Sequence, residues 1–190
     1  MYRKTFVNID TTVLENNIKD IKKKYPDYKY YIGVVKNDAY HHGIDVIPSL
    51  IEGGINYLAV SSLDEAMEIR AKFEDMPILI LEPINLEFIK VVLDNDITIT
   101  IDNLDYLKSL IKGKFSKTLK VHFKIDSGMN RLGFKDKSEL EEAYSLINES
   151  DNLFLEGIYT HFATSGRGDI IYHEQLKKVN DLISFMDLQS

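Results

Sequence analysis

The alternation of short apolar runs with amphipathic segments is the feature that most constrains the fold of this 190-residue chain. From Tyr30 onward, β-rich runs recur six times, and each is followed by a segment with apolar residues at helical spacing. The predicted strands begin near residues 30, 56, 77, 97, 119 and 153. Strands that alternate with helices in this way indicate right-handed βαβ units and a parallel sheet.

Two architectures fit this alternation, an open doubly wound sheet and a (β/α)8 barrel. A doubly wound sheet would carry a glycine-rich phosphate turn after an early strand, and the sequence has no G-x-G-x-x-G. The regular strand spacing favours the barrel. Because six units do not close an eight-stranded barrel, we expect an α/β fold that is an incomplete TIM (β/α)8 barrel of about six βα units. No linker or low-complexity segment divides residues 1–190.

Local signals predict where several elements begin and end. A short strand is expected at residues 5–9, and Asp10 or Thr11 can cap a helix that runs to about Lys24. Three later helix starts are predicted from polar residues, namely a capping box at Ser62–Glu65, a cap at Asp102 and a second capping box at Ser138–Glu141.

Composition excludes several classes of function. The formal net charge of -7 argues against a nucleic-acid-binding protein, whose surface is normally basic. The absence of cysteine removes disulfides and thiolate metal sites, and it suits a cytoplasmic protein. No apolar run reaches the length of a membrane span, and the N-terminus has no signal-peptide pattern. His41 and His42 are adjacent, so their side chains are poorly placed to share one ion, and we expect no metal site.

Polar residues follow three of the predicted strands at the end where barrel enzymes carry their chemistry. Lys36 follows the first repeated strand, Arg131 lies in the long segment after the fifth, and His161 follows the sixth. A lysine at the end of a buried strand can have a lowered pKa and attack a carbonyl as a neutral amine. Taken singly, Lys36 also fits a solvated lysine in a turn, Arg131 a surface ion pair, and His161 a core histidine. Their shared placement at strand ends favours a site.

Pyridoxal phosphate is a cofactor that suits such a set of side chains. Its aldehyde needs a lysine, its phenolate and phosphate need hydrogen-bond donors, and its ring accepts electrons. A class I aldolase also needs a lysine at a strand end, and the residues alone leave that alternative open.

Three motifs of this chain together resemble the alanine racemase family. Residues 35–43 (VKNDAYHHG) are similar to its V-K-A-[DN]-A-Y-G-H-G signature. Residues 124–134 (KIDSGMNRLGF) are similar to its K-[VI]-D-[TS]-G-M-x-R-L-G-F segment, and residues 157–164 (GIYTHFAT) to its G-[IL]-x-[ST]-H-[FL]-A block. The motifs follow the family's order and separations, and the resemblance covers essentially all 190 residues.

The resemblance implies a role for each candidate residue. Lys36 would form the Schiff base with pyridoxal 5'-phosphate and act as acid or base on one face of the substrate α-carbon. Tyr40 would contact the cofactor phosphate, and Arg131 would hydrogen-bond the phenolic oxygen. His161 would lie close to the pyridine ring. Lys124 matches a lysine that is carbamylated in some members, where it orients the arginine.

The departures from the family concern two residues and the length of the chain. Asn37 and His41 replace small residues beside Lys36 and Tyr40. The family's last two barrel units and its C-terminal β-domain have no counterpart here, so the resemblance identifies residues 1–190 as the N-terminal part of the barrel domain. Those parts should supply the second catalytic tyrosine, which comes from the partner subunit of a homodimer.

The resemblance therefore implies a cytoplasmic isomerase that interconverts L- and D-alanine for peptidoglycan, present here as an N-terminal fragment with little activity alone. The alternatives are a racemase of another small amino acid such as serine, a non-catalytic pyridoxal-phosphate-binding barrel protein, and a remnant that binds nothing. Unprotected edges at the first and sixth strands predict self-association in concentrated solution.

Overall fold

The computed structural model describes residues 6–164 and 168–186. The chain divides into two compact units, Met1–Leu81 and Glu82–Ser190. Each unit contains one three-stranded parallel sheet flanked by helices. The predicted α/β class with parallel strands is confirmed. None of the described helices combines the length and apolar character that a membrane span requires.

The first unit is built on the sheet order β1-β2-β3. Its strands are β1 (Ile32–Val34), β2 (Tyr57–Val60) and β3 (Ile78–Ile80), and its helices are α1 (Thr11–Lys24), α2 (Lys36–His41), α3 (Ile47–Gly53) and α4 (Leu63–Arg70). Helices α1 and α3 pack together so closely that a Cβ at Gly53 would lie 2.9 Å from Ile18 Cβ. The central strand β2 is buried throughout, as expected for a parallel sheet covered on both faces.

The second unit is built on the sheet order β4-β5-β6. Its strands are β4 (Ile99–Ile101), β5 (Leu119–Ile125) and β6 (Leu153–Thr160), and its helices are α5 (Ile89–Asp94), α6 (Leu104–Ile111), α7 (Lys137–Asn148) and α8 (Ile170–Ile183). Val121, Phe123 and Ile125 of β5 are buried core residues, whereas the alternate positions His122 and Lys124 are buried polar residues. Because side chains alternate along a strand, one face of β5 is apolar and the other carries ionisable groups.

Several predicted boundaries agree with the structure and others are wrong. Helix α1 begins after Asp10, whose carboxylate accepts hydrogen bonds from the backbone N–H groups of Thr12 and Val13. The strand predicted at 5–9 is not formed over residues 6–9, and residue 5 lies outside the described residues.

Two predicted caps are replaced by neighbouring residues. Asn103 caps α6, because the Asp102 carboxylate accepts a hydrogen bond from the Asn103 side chain instead. Asp136 caps α7 in place of Ser138, since its carboxylate accepts from two backbone N–H groups of the first turn.

Candidate active site

The backbone directly after β1 is a turn of left-handed helix, here called the lysine turn (Lys36–His41). Residues 37–41 all have φ between 51° and 64°, and none of them is glycine. Each L-residue in this conformation costs about 1–2 kcal/mol, so it normally occurs at single residues. Such strain persists only where surrounding contacts impose it, and it concentrates at functional sites. The structure thus singles out the same segment as the sequence, for a reason that the sequence did not reveal.

Hydrogen bonds from both ends hold the lysine turn in this conformation. The N–H of Ala39 donates to the carbonyl of Val35 at 2.9 Å, and the N–H of Gly43 donates to the carbonyl of Asp38 at 2.9 Å. The Asp38 carboxylate accepts from the N–H of Ile44 at 2.9 Å. The turn is therefore tied to the strand before it and to the segment after it.

Lys36 and Tyr40 are both accessible to solvent. Lys36 is half-buried, and Tyr40 is 53% exposed. The expectation that Lys36 ends a buried strand is wrong, because Ile32 and Val34 of β1 are 43% and 42% exposed. Strand β1 lies at the edge of its sheet, where one flank has no neighbouring strand among the described residues.

The segment after β5 is a closed loop, here called the arginine loop (Asp126–Phe134). Its ends are joined by two backbone hydrogen bonds of 2.9 Å, from Asp126 N–H to Phe134 O and from Phe134 N–H to Lys124 O. Gly133 has φ of 119°, and a Cβ there would lie 2.7 Å from the carbonyl oxygen of Lys124. Only glycine permits the loop to return this close to the strand.

Asp126 organises the arginine loop from within. Its buried carboxylate accepts hydrogen bonds from the backbone N–H groups of Gly128, Asn130 and Arg131 at 3.0, 2.9 and 2.9 Å. Burial alone would raise the pKa of Asp126, but these three N–H groups and the nearby Lys135 charge outweigh it and hold the pKa below its usual value. The ionised carboxylate fixes the backbone of Arg131 and leaves its side chain exposed.

Lys124, Arg131 and His161 line one small depression in the second unit. Lys124 is buried, and its Nζ lies 4.5 Å from the centre of the Tyr159 ring. Burial raises the pKa of Tyr159 to about 12, and its hydroxyl hydrogen-bonds Thr100 at 2.9 Å. The phenol therefore stays neutral at physiological pH, and its ring face lies within cation–π distance of the Lys124 side-chain nitrogen.

Arg131 and His161 are both exposed at the strand ends of the second unit. No ion pair of Arg131 with a carboxylate occurs within the part of the chain that the structure describes. His161 is exposed, so it is not a core histidine. No cluster of metal-ligating side chains is found among residues 6–164 and 168–186.

Gln175 of α8 connects the two strand-end segments of the second unit, and sequence reasoning missed it. Its buried side chain donates to Ser127 Oγ and to the carbonyl of His161, both at 3.2 Å, and accepts from Ala163 N–H at 2.9 Å. A glutamine beside the apolar positions of α8 is the signal that could have identified it. It holds the His161 segment against the start of the arginine loop.

Glu65 is the second residue that sequence reasoning placed only as a cap. Its N–H does donate to Ser62 Oγ at 3.3 Å, as the capping box predicts. Its carboxylate, however, accepts from Ser61 and from the backbone N–H of Asn37, the residue after Lys36. In the first unit the structure thus ties Glu65 to the turn that carries Lys36 and Tyr40, and in the second unit Lys124, Arg131 and His161 line one depression.

Comparison with known proteins gives consistent matches along the chain. The family described as "Alanine racemase, N-terminal domain" matches residues 9–189. Alanine racemase 1 of Bacillus subtilis is 30% identical over an alignment of 191 positions, which covers 100% of this chain and 49% of that protein.

Solved structures match to the same extent. The alanine racemase of Bacillus anthracis with bound L-Ala-P has a TM-score of 0.88 at 34% identity and covers 97% of this chain and 48% of that one. A histidine racemase of Leuconostoc mesenteroides has a TM-score of 0.86 at 25% identity, covering 94% and 49%. The chain spans about half the length of the relatives it matches, and its parallel sheets fit part of a TIM barrel.

Proposed function

This chain belongs to the alanine racemase family, and we propose that it is the pyridoxal-phosphate-binding part of an amino-acid racemase acting on alanine. The observation that carries the proposal is the position of Lys36, which lies two residues after the end of β1 and begins a strained left-handed turn. Backbone strain concentrates at functional sites, and a lysine that forms a Schiff base must be held in position. A strained turn that begins at Lys36 fits both conditions.

The donor set of the chain fits pyridoxal phosphate. A primary amine binds the aldehyde carbon, the exposed Tyr40 phenol can donate to the phosphate, and the exposed Arg131 guanidinium can donate to the phenolic oxygen. His161, at the end of β6, is assigned to the vicinity of the pyridine ring. When bound, the cofactor would stabilise negative charge at the substrate α-carbon.

Lys36 is assigned a second role, as the group that removes or returns the α-proton on one face of the substrate. Racemisation needs proton transfer on both faces, and the family assigns the other face to a tyrosine outside these 190 residues. We therefore propose that a polypeptide of these residues alone racemises alanine little. Measurable formation of D-alanine from L-alanine by that polypeptide would contradict this.

Lys124 has two charge states with opposite consequences for its neighbours. As an ammonium it contacts the Tyr159 ring face and lowers the pKa of nearby Asp102 by its charge, although burial raises that pKa overall. As a carbamate it would attract Arg131 across the depression and repel Asp102. Carbamylation is a proposal that carbon-13 NMR with labelled bicarbonate would test.

The wider proposals follow from the family. Residues 1–190 would form the N-terminal part of a barrel domain of about six βα units, and the complete enzyme would be a cytoplasmic homodimer that makes D-alanine for peptidoglycan. A racemase of another amino acid is the second candidate. The observation that favours it is the histidine racemase with nearly the same TM-score as the alanine racemases, because this fold does not by itself select the side chain.

The decisive experiment is to add pyridoxal phosphate to the full chain, reduce with borohydride and map the modified peptide. We expect a reduced adduct on Lys36 that Lys36→Ala abolishes. Lys23→Ala, which removes an exposed lysine of α1, should leave it unchanged. A folded chain with no adduct, or with adducts spread over surface lysines, would contradict the proposal.

A further inference from the structure

We propose that Glu65 is a positioning residue that fixes the peptide unit following Lys36 and thereby aims the lysine amine at the cofactor aldehyde. This inference rests on the proposed function, since it assigns to Glu65 an effect on that reaction. It assigns Glu65 no contact with substrate or cofactor.

The first step of the argument is the division of the carboxylate between two backbone segments. One oxygen of Glu65 accepts from the N–H of Asn37 at 2.7 Å. The other accepts from both the N–H and the hydroxyl of Ser61, at 2.8 and 2.9 Å. Glu65 therefore joins the loop between β2 and α4 to the lysine turn.

The second step concerns where on the lysine turn this contact falls. Asn37 is the first of the five left-handed residues, and it immediately follows Lys36. A hydrogen bond to its N–H fixes the orientation of the Lys36–Asn37 peptide. The Lys36 side chain is attached to the Cα atom that adjoins this peptide. The orientation of the peptide therefore helps to set the direction in which the amine projects.

The third step is that Glu65 is itself held firmly and is ionised. Its own N–H donates to Ser62 Oγ, which places it in the first turn of α4. Partial burial would raise the pKa of Glu65, but the N–H groups of Ser61 and Asn37 and the Ser61 hydroxyl outweigh it and lower the pKa. A charged acceptor makes stronger hydrogen bonds than a neutral one, which suits a group that must hold a strained backbone.

Glu65→Gln is the variant that separates this role from bulk stability. The glutamine amide keeps the shape of the side chain but has one accepting oxygen, so it cannot serve both Asn37 and Ser61. Glu68→Gln, three residues further along α4 and exposed, is the matched control for loss of one negative charge.

Two readouts test the proposal in the full chain. The first is the affinity for pyridoxal phosphate, measured as borohydride-reducible adduct on Lys36. Loss of a hydrogen bond to a charged group predicts binding about tenfold weaker in Glu65→Gln and unchanged in Glu68→Gln. The second is the amide NMR resonances of Asn37 and Ser61, which should titrate together below pH 4.5, the ordinary pKa of glutamate, and lose this titration in Glu65→Gln.

The outcomes separate this proposal from the proposed function. A wild-type adduct on Lys36 that is equally strong in Glu65→Gln would overturn the role of Glu65 alone. Amide resonances of Asn37 and Ser61 that ignore the Glu65 titration would also overturn it. A folded wild-type chain that forms no Lys36 adduct but shows the shared titration would contradict the proposed function and support Glu65 as the group that holds the turn.

Discussion

Single carboxylates hold the backbone segments that carry the candidate site residues. Asp126 accepts three backbone N–H groups of the arginine loop, and Glu65 accepts the N–H of Asn37 in the lysine turn. Asp126 is five residues from Arg131 in the sequence, whereas Glu65 reaches Asn37 from 28 residues away, and neither side chain is assigned to the ligand. In both cases the carboxylate of a single residue fixes the backbone conformation of a loop.

Asp126→Asn should destabilise the second unit at neutral pH. The amide replaces one carboxylate oxygen by a donor, so at least one of the three N–H groups loses its acceptor, at a cost of about 2 kcal/mol. Because the folded-state pKa of Asp126 lies below its ordinary value of 3.8, the carboxylate stabilises the folded state above that pH, and this contribution disappears as the pH falls through the folded-state pKa.

Urea unfolding of wild type and Asp126→Asn at several pH values measures this effect. The difference between the two free energies of unfolding should be large at pH 7 and shrink in acid below the ordinary pKa. Asp151→Asn, at an exposed carboxylate, is the control and should change little. A difference that does not depend on pH would mean that the Asp126 charge does not hold the loop.

Among the elements of the described chain, the lysine turn departs most from the backbone conformations that its residues ordinarily adopt. Right-handed helix and strand are the ordinary conformations of L-residues. Asn37 and Asp38 are types that adopt the left-handed conformation singly, but no residue type favours five in succession. A tertiary hydrogen bond from Asn37 to Glu65 and a local one from Ile44 to Asp38 hold the conformation. We therefore expect the strain itself to be measurable.

His41→Gly should stabilise the folded chain. His41 is exposed with φ of 64°, a value that glycine adopts without steric cost. Relief of strain should exceed the extra chain entropy of glycine and give a gain of about 0.5–1 kcal/mol. His173→Gly, at an exposed position of the right-handed helix α8, should instead cost about 1 kcal/mol. Thermal unfolding of both variants checks the prediction, and a destabilised His41→Gly would show that the turn is unstrained or that the His41 side chain holds it.

At the scale of the whole molecule, strand β6 leaves one side of its sheet open within the described part of the chain. It is the last strand in the order β4-β5-β6. A groove of about 740 Å³ runs beside it, lined by Leu155, Ile158, Val179 and Ile183 among others. An open edge with apolar surface beside it invites pairing with another strand.

We expect self-association of the 190-residue chain in concentrated solution. Phe154 of β6 is 55% exposed, and Phe154→Lys should reduce association because a charged side chain on an edge strand opposes pairing. Light scattering over a concentration series measures the average mass, with Phe88→Lys, at an exposed aromatic residue outside the strands, as the control. A monodisperse monomer at all concentrations would contradict this expectation.

Long apolar strands and long amphipathic helices were predictable from the sequence. The strand predicted to begin near residue 119 is observed at Leu119–Ile125, and α1 runs from Thr11 to Lys24 as expected. Helix caps were less predictable where several capping residues are adjacent. Asp102 and Asn103 can both cap, and in the structure Asn103 caps α6 while the Asp102 carboxylate accepts a hydrogen bond from the Asn103 side chain.

The sequence by itself determined the α/β class, the family and the residues of the three motifs, because hydrophobic period and residue order are properties of the chain. Only the tertiary structure decided how those residues are held. Glu65 reaches Asn37 across 28 residues and helps to hold the left-handed turn after Lys36. Gln175 reaches Ser127 across 48 residues. Such contacts overrule local backbone preference, and no local pattern encodes them.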